Sequence, residues 1–380
     1  MSNLTKRILI SAGEASGNIH GVNLVQAVTK IAPNIKFYGM GSDLMQKAGV
    51  DIIVNSNDLS VFGALEIVTK LSKIWHSFQT MKNALFHDKP DLLILVDYPG
   101  FNLRLAKAAK KAGIKVLYFI SPKVWAWHQS RVKIIKNCVD MMAVIFPFEI
   151  DFYKKWQVPV TFVGNPLLNF VPTKSSLVNA SQTFNLEPIY KTIGLFPGSR
   201  ISEIKRLLPI MLNAAKILKE HNSKIQFLLP RAPSISMADL QPYLQSSEIK
   251  VQVIDGQNYN AMYACDAIIS ASGTATLEIA LTETPMIIIY KMSWLEYQIA
   301  KRLIKIPYVG LCNILANKKI VPELLQNDAT PEKIAGEMEK ILNNNSYREE
   351  MISNLKNTRK LLEDTEQEDI ALLVIKQMSS

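Results

Sequence analysis

The sequence predicts an α/β chain of two doubly wound, parallel-sheet domains with a cleft between them. Three observations carry that expectation. Short apolar runs alternate with stretches of helical spacing, the pattern of strands joined by crossover helices. The run 92–97, LLILVD, is apolar up to its last residue and does not alternate, as befits a strand covered on both faces. The same alternation starts again near residue 192, after a polar, less periodic stretch at 168–190.

In the first half, 7–11 reads as a strand running into a turn, Gly13-Glu14-Ala15-Ser16-Gly17, with a helix at 22–31. Further strands fall at 36–40, 92–97, 115–120 and 141–146, with a helix at 102–112, and Val163-Gly164-Asn165-Pro166 closes this half. The second half places strands near 192–196, 225–229, 250–254, 266–270 and 286–290, then helices at 331–342, 347–362 and 366–377. The expected division is 1–168, 169–346 and a helical tail at 347–380.

At 380 residues, 48% of them hydrophobic, the chain has room for two ordinary cores. Lys and Arg number 43 against 33 Asp and Glu, a net charge of +10. The excess is dispersed, with no basic run interleaved with aromatics. It suits an anionic small molecule or membrane surface better than a nucleic acid. Cys138, Cys265 and Cys312 form neither a CxxC pair nor a zinc spacing, so a reducing compartment is expected. The first residues lack the apolar core and cleavage site of a signal peptide, and no run reaches the roughly 18 apolar residues that span a bilayer. A cytoplasmic protein, soluble or peripheral, is the expectation.

Ligands of doubly wound sheets sit at the carboxyl ends of the strands. Glu14, Asp97 and Ser121 all fall at such ends. A carboxylate ending an apolar strand, as Asp97 does, is partly desolvated, and its pKa rises toward a value useful to a general base. Capping the following helix is the other use of such a residue, and Glu14 has the same two readings. In the second half, 270–278 (SASGTATLE) reads as a strand end, a small-residue turn and a helix start. Around Ser272, Gly273 and Thr274 the backbone can approach a ligand, and helix-start N–H groups favour an anion, typically a phosphate. Glu278, one turn into the helix, could accept two hydrogen bonds from a ribose diol. Phe196-Pro197-Gly198-Ser199-Arg200 is a second such turn, in which Arg200 could grip phosphate oxygens in a fork or bridge to Glu203. Two phosphate-type turns in one half suggest a nucleotide diphosphate between them. There is no Walker loop, no GxGxxG and no Ser-His-Asp arrangement.

Phe62, Leu65, Val68, Leu71, Trp75, Phe78, Met81 and Leu85 recur at helical spacing, with Lys70, Lys73 and Lys82 on other faces. A core-facing helix gives this pattern, and so does a helix lying in a membrane interface. Trp125 and Trp127, in the aromatic and basic stretch 125–131, fit contact with acyl chains or sugar rings, or a place in the core.

SAGEASG (11–17), VDYPGFN (96–102), SPKVWAW (121–127), GNP (164–166), PGSR (197–200) and SGTATLE (272–278) occur in that order, followed by 301–313 and 321–326. As an ordered set covering nearly the whole chain they resemble the lipid-A-disaccharide synthase family. The resemblance implies an inverting glycosyltransferase of the two-Rossmann (GT-B) type. It implies UDP-2,3-diacylglucosamine as donor and 2,3-diacylglucosamine 1-phosphate (lipid X) as acceptor, with no cofactor and no metal. Asp97 then becomes the candidate base for the acceptor 6-hydroxyl, and Glu14 the second carboxylate, positioning the acceptor or acting as the base. Ser199, Arg200, Gly273 and Thr274 would stabilise the leaving UDP. Glu278 would hold the ribose, and Asn313 would contact the nucleotide. The C-terminal helices would pack back on the first domain. Acylated substrates imply peripheral binding on the cytoplasmic face of the inner membrane, with the 62–86 stripe as docking surface, and a homodimer is left open. Two positions depart from the family pattern: Asn18 stands where Asp is usual, and Asn165 where His is usual. A UDP-sugar epimerase of the same architecture, or a peripheral nucleotide-sugar-binding protein without turnover, are the alternatives.

Overall fold

The computed structural model describes residues 6–59, 64–127, 129–172, 183–303 and 306–379. The chain forms two compact units, Met1–Pro166 with Thr365–Ser380, and Leu167–Asp364.

The first unit holds β1 (Arg7–Ala12), β2 (Lys36–Gly41), β3 (Val50–Asn55), β4 (Leu92–Val96), β5 (Val116–Phe119), β6 (Met141–Val144) and β7 (Val160–Phe162). They form one parallel sheet in the order β3-β2-β1-β4-β5-β6-β7. Side chains alternate across a strand. Leu93 and Leu95 of β4 therefore join one apolar cluster with Leu9, Val116 and Tyr118, while Leu92, Ile94 and Val96 join another with Ile8, Ile10 and Leu117. Both faces are covered, so LLILV has no place for a polar residue; each such side chain contributes about 1.5–3 kcal/mol on burial. Gly39 is required by close approach: its φ is 145°, and a Cβ there would lie 2.0 Å from the Ile10 carbonyl oxygen.

The second unit holds β8 (Lys191–Phe196), β9 (Ile225–Arg231), β10 (Val251–Asp255), β11 (Ala267–Ala271), β12 (Met286–Tyr290) and β13 (Glu323–Leu325). These are parallel, in the order β10-β9-β8-β11-β12-β13. Helix Ile201–His221 buries Ile204, Leu207, Leu208, Met211 and Leu218, a stripe at helical spacing.

Several expectations are corrected. The first helix begins at Ala15, not near residue 22, so only Gly13 and Glu14 remain as turn between it and β1. Strands β3, β7 and β13 were not anticipated; each is an edge strand with one neighbour, and their mixed burial gives them no clean period. The tail does not return as a block. Helix Asn345–Glu363 stays in the second unit, where Met351 and Leu355 join the core. Only the last helix, Ile370–Ser379, belongs to the first unit, packing Ala371, Leu373 and Val374 into the cluster that holds Leu24, Val25 and Val28 of helix Ala15–Ile31. Among the described residues no helix is long and apolar enough to cross a membrane.

Candidate active site

The first sheet reverses its strand order between β1 and β4, and a doubly wound sheet binds ligands at such a reversal. Ala12 is in register with Val96, so Gly13-Glu14 and Asp97-Tyr98 leave the sheet at the same level. Asp97 and Tyr98 are both left-handed, with φ of 45° and 47°. Side-chain-bearing residues in this region cost on the order of 1–3 kcal/mol each and persist only where their surroundings fix them. The Asp97 carbonyl accepts from Tyr118 Oη at 2.6 Å and from Asn102 Nδ2 at 2.8 Å, and the Asp97 N–H donates to Phe119 O at 3.2 Å. Asn102 is fully buried, and its Oδ1 accepts the Ser11 hydroxyl at 2.6 Å, which ties β1 to the same point. The Tyr98 ring stacks on Phe101 and lies over Gly13, where a Cβ would come within 2.2 Å of it.

This backbone sets Asp97 in a poorly solvated position. Burial pushes its pKa up to about 6, the Glu14 charge adds to the rise, and Lys123 and the Tyr98 N–H oppose it. Glu14 is exposed at the start of helix Ala15–Ile31 and makes no side-chain capping bond, so its carboxylate is not spent on the helix. The two departures from the family pattern are built into the fold. Asn18 is buried, donates to Glu14 O and Ser56 Oγ, and accepts the Ser42 N–H at 2.6 Å. Asn165 is buried and donates to Ile145 O at 3.1 Å. Ser121 is buried as well, its hydroxyl 2.7 Å from Tyr153 Oη.

The second sheet reverses between β8 and β11, with Phe196 in register with Ser270. At the first turn the N–H groups of Ser199 and Arg200 donate to Glu203 Oε2 at 3.0 and 3.2 Å, and the Arg200 guanidinium lies 3.3 Å from Glu203 Oε1. The Glu203 carboxylate thus fills the anion position at the start of helix Ile201–His221, while the Arg200 side chain is 77% exposed. At the second turn Ser272 Oγ donates to Val309 O, a Cβ on Gly273 would meet open space, and Thr274 is exposed and makes no capping bond. Glu278 lines a pocket of about 460 Å³ with Phe170, Pro172, Gln257, Asn258, Tyr259 and Asn260. Tyr259 Oη donates to Glu278 Oε1 at 2.9 Å. Burial raises the Glu278 pKa, and this hydrogen bond opposes the rise. Sequence reasoning missed Tyr259 and Gln257. The turn after β10, Gly256-Gln257-Asn258, is itself a strand-end turn, with Gln257 at φ 53°, so the rule that found Asp97 would have found it.

Three sequence-predicted contacts need correction. Asn313 is fully buried and spends its amide on the fold. Nδ2 donates to Val321 O and Glu323 Oε1, and Oδ1 accepts the N–H groups of Ile320 and Val321, which leaves nothing for a nucleotide. Trp125 is 6% exposed, with its indole N–H on Glu149 Oε1 at 3.0 Å, so it is core rather than an acyl contact; Trp127 is exposed. Of the stripe, Phe62 lies outside the described residues, as do the side chains of Leu65 and Val68. Within helix Ala64–His87, Phe78, Met81 and Leu85 pack on the core, Phe78 edge-on to Phe101 at 5.7 Å. The acyl contact expected of Phe78 and the single-face reading of the stripe are therefore both corrected. Leu71 and Trp75 stay 55% and 64% exposed, and Phe86 is exposed too. At 3.6 residues per turn these three lie within about 60° of one another on the helix. Among the described residues no group of three His, Cys, Asp or Glu could hold a metal ion.

A model of the lipid-A-disaccharide synthetase family matches residues 8–375. A lipid-A-disaccharide synthase of Trichlorobacter lovleyi is 49% identical over 342 residues, 90% of this chain and 89% of that protein. One of Geobacter metallireducens is 46% identical over 357 residues, 94% and 93% of the two chains. Among solved structures, the UDP-GlcNAc 2-epimerase of Neisseria meningitidis bound to UDP-GlcNAc aligns with a TM-score of 0.60 at 12% identity, over 98% of this chain and 99% of that one. MurG of Acinetobacter baumannii aligns with a TM-score of 0.57 at 13% identity, over the same shares. At such identity the structures speak for the fold alone, two parallel-sheet α/β domains of the GT-B kind. The sequence relatives go further: matched along almost its whole length, the chain belongs to the lipid-A-disaccharide synthase family, glycosyltransferases of lipid A biosynthesis.

Proposed function

We propose that the chain transfers the sugar of UDP-2,3-diacylglucosamine to the 6-hydroxyl of 2,3-diacylglucosamine 1-phosphate, inverting the anomeric centre. The products are the β-1,6-linked tetraacyl disaccharide 1-phosphate and UDP. The observation that carries this reading is Asp97, a half-buried carboxylate at a strand-order reversal with its pKa pushed up to about 6. It is ionised at neutral pH and still basic enough to take a proton as the new bond forms. The acceptor oxygen attacks C1, its proton passes to Asp97, and the C1–O bond to the diphosphate breaks. Glu14 orients the acceptor beside it.

The leaving diphosphate gains negative charge, and donors fixed in advance lower the barrier most where charge develops. Ser199, Arg200 and the backbone of Gly273 and Thr274 are the donors this reading uses; the Ser272 N–H and hydroxyl are bonded to Ile289 O and Val309 O. An arriving diphosphate takes over from Glu203 at the N–H groups of Ser199 and Arg200. Glu278 receives the ribose, and the pocket it shares with Tyr259 and Gln257 is of a size for the nucleoside.

Both substrates are anchored by acyl chains at about 0.8 kcal/mol per buried CH₂, so the enzyme must work at the surface that holds them. The reading therefore includes peripheral binding at the cytoplasmic face of the inner membrane, through exposed Leu71, Trp75 and Phe86. A Leu71→Ser/Trp75→Ser variant should bind anionic vesicles several-fold more weakly at unchanged Tm; unchanged vesicle binding would remove the stripe from the account.

The test of the reaction is product analysis with purified protein, UDP-2,3-diacylglucosamine and 2,3-diacylglucosamine 1-phosphate. A β-linked disaccharide 1-phosphate formed in step with UDP is expected. An α-linked product, or consumption of the UDP-sugar without the acceptor, would sink the proposal.

A further inference from the structure

The loop after β5, residues 120–127, is rooted beside Asp97. Val96 pairs with Phe119, and the Asp97 N–H donates to Phe119 O. The loop is neither strand nor α-helix, yet Ser121, Val124, Trp125 and Ala126 are buried. Two side chains of helix Pro147–Lys155 hold it. Tyr153 Oη lies 2.7 Å from Ser121 Oγ, and the Ser121 hydroxyl donates to Pro122 O at 2.9 Å. Glu149 is 1% exposed; its Oε1 accepts the Trp125 indole N–H at 3.0 Å and its Oε2 accepts the Phe146 N–H at 3.1 Å. Phe148 closes on the indole edge-to-face at 4.9 Å. Among the described residues Glu203, a carboxylate at the same place in its own helix, bonds only residues of its own turn. Glu149 reaches across to a second segment. A buried carboxylate is expensive, and an apolar side chain would fill the space more stably. Between the two anchors stands Lys123, exposed, whose charge opposes the rise in the Asp97 pKa.

We propose that Glu149 is a positioning residue for the transfer: by holding the Trp125 indole it fixes the 120–127 loop, which is rooted beside Asp97 and carries Lys123. The inference rests on Asp97 being the base. The groups that act on the Asp97 carboxylate are Glu14, Lys123 and the Tyr98 N–H, and Tyr118 Oη donates to the Asp97 carbonyl. Those that face Glu149 are Trp125, Ser121, Tyr153 and the backbone at Phe146 and Ile145. Among them Lys123 is the cation on the loop that Glu149 anchors. Its charge lowers the Asp97 pKa, so moving it away raises the pH at which activity sets in.

The experiment is the pH profile of kcat for the wild type, Glu149→Gln, Lys123→Met and the double variant. Glu149→Gln keeps size and an acceptor for the indole but sets an NH₂ against the Phe146 N–H. Each single variant should move the acid limb up from near pH 6 by about 0.5 pH unit, the effect of one partly solvated charge. The double variant should move it no further than Lys123→Met alone. Trp125→Phe, which keeps the ring packing and deletes the N–H, should act as Glu149→Gln does and guards against poor folding of one variant. An acid limb that stays at the wild-type pH in both Glu149→Gln and Trp125→Phe, with activity falling only as the folded fraction, overturns the proposal. A wild type without an acid limb, or Asp97→Asn at the wild-type rate, overturns the base assignment and this inference with it, and is told apart by the wild-type curve.

Discussion

At the reversal between β1 and β4 the chain leaves the sheet through two left-handed residues tied down by buried Asn102 and Tyr118. At the reversal between β8 and β11 it leaves through Pro197-Gly198-Ser199-Arg200 and Ser272-Gly273-Thr274, small residues with an exposed guanidinium and open space around Gly273. The strand order around the reversal is the same in both sheets, and the chemistry is opposite. The first reversal desolvates a carboxylate and raises its basicity. The second leaves a guanidinium exposed and sets two backbone donors on a carboxylate of the next turn. The residues just past the strand decide between them: a fold supplies the place, and a few side chains decide whether it moves a proton or holds an anion.

If the first reversal depends on its polar ties, Asn102→Ala should be the most damaging change outside the reacting groups. It leaves the Ser11 hydroxyl and the Asp97 carbonyl short of a partner, so urea unfolding should register a loss of about 1–3 kcal/mol. Relaxation of the left-handed pair should lower kcat about 100-fold beyond that loss; a kcat that merely tracks the folded fraction would make the ties structural only. At the second reversal, Arg200→Ala should weaken UDP binding about 10- to 100-fold by calorimetry, as expected for a charge-assisted hydrogen bond. Unaltered affinity would reduce that turn to a capped helix start. Tyr259→Phe frees one oxygen of Glu278 and should weaken UDP binding about two- to tenfold; tighter binding would mean that Tyr259 competes with the ribose. The smallest effect separates the two carboxylates. Glu14 raises the Asp97 pKa, so Glu14→Gln should move the acid limb of kcat down by about 0.5 pH unit. A collapse of kcat instead would make Glu14 the base.

The central strands and the turns that end them were legible because strands buried on two faces read as unbroken apolar runs; the strand order that makes those turns reversals was not. Edge strands such as β7, three residues of mixed burial, carry no such run. Asp97 and Glu14 could be picked out by position alone. The role of Asn102 could not, because its partners lie on β1 and on the turn after β4, and only the fold brings them together. Asn313 and Trp125 misled for a related reason. A polar or amphipathic side chain reads the same whether it meets a ligand or a buried partner, and the partners here, Glu323 and Glu149, are apart in sequence. The Phe62 to Phe86 stripe mixed two faces because spacings of three and four drift around a long helix, from the core at Met81 and Leu85 to solvent at Leu71 and Trp75.

The most direct test is the single-turnover rate of disaccharide formation for wild type and Asp97→Asn between pH 5 and 8, with UDP affinity measured alongside. The account predicts a wild-type rate that rises through about pH 6 and levels off. It predicts a variant roughly 10²- to 10⁴-fold slower, without that step, and with UDP binding intact. A variant that forms disaccharide at a rate close to wild type, with the same pH step, would contradict it.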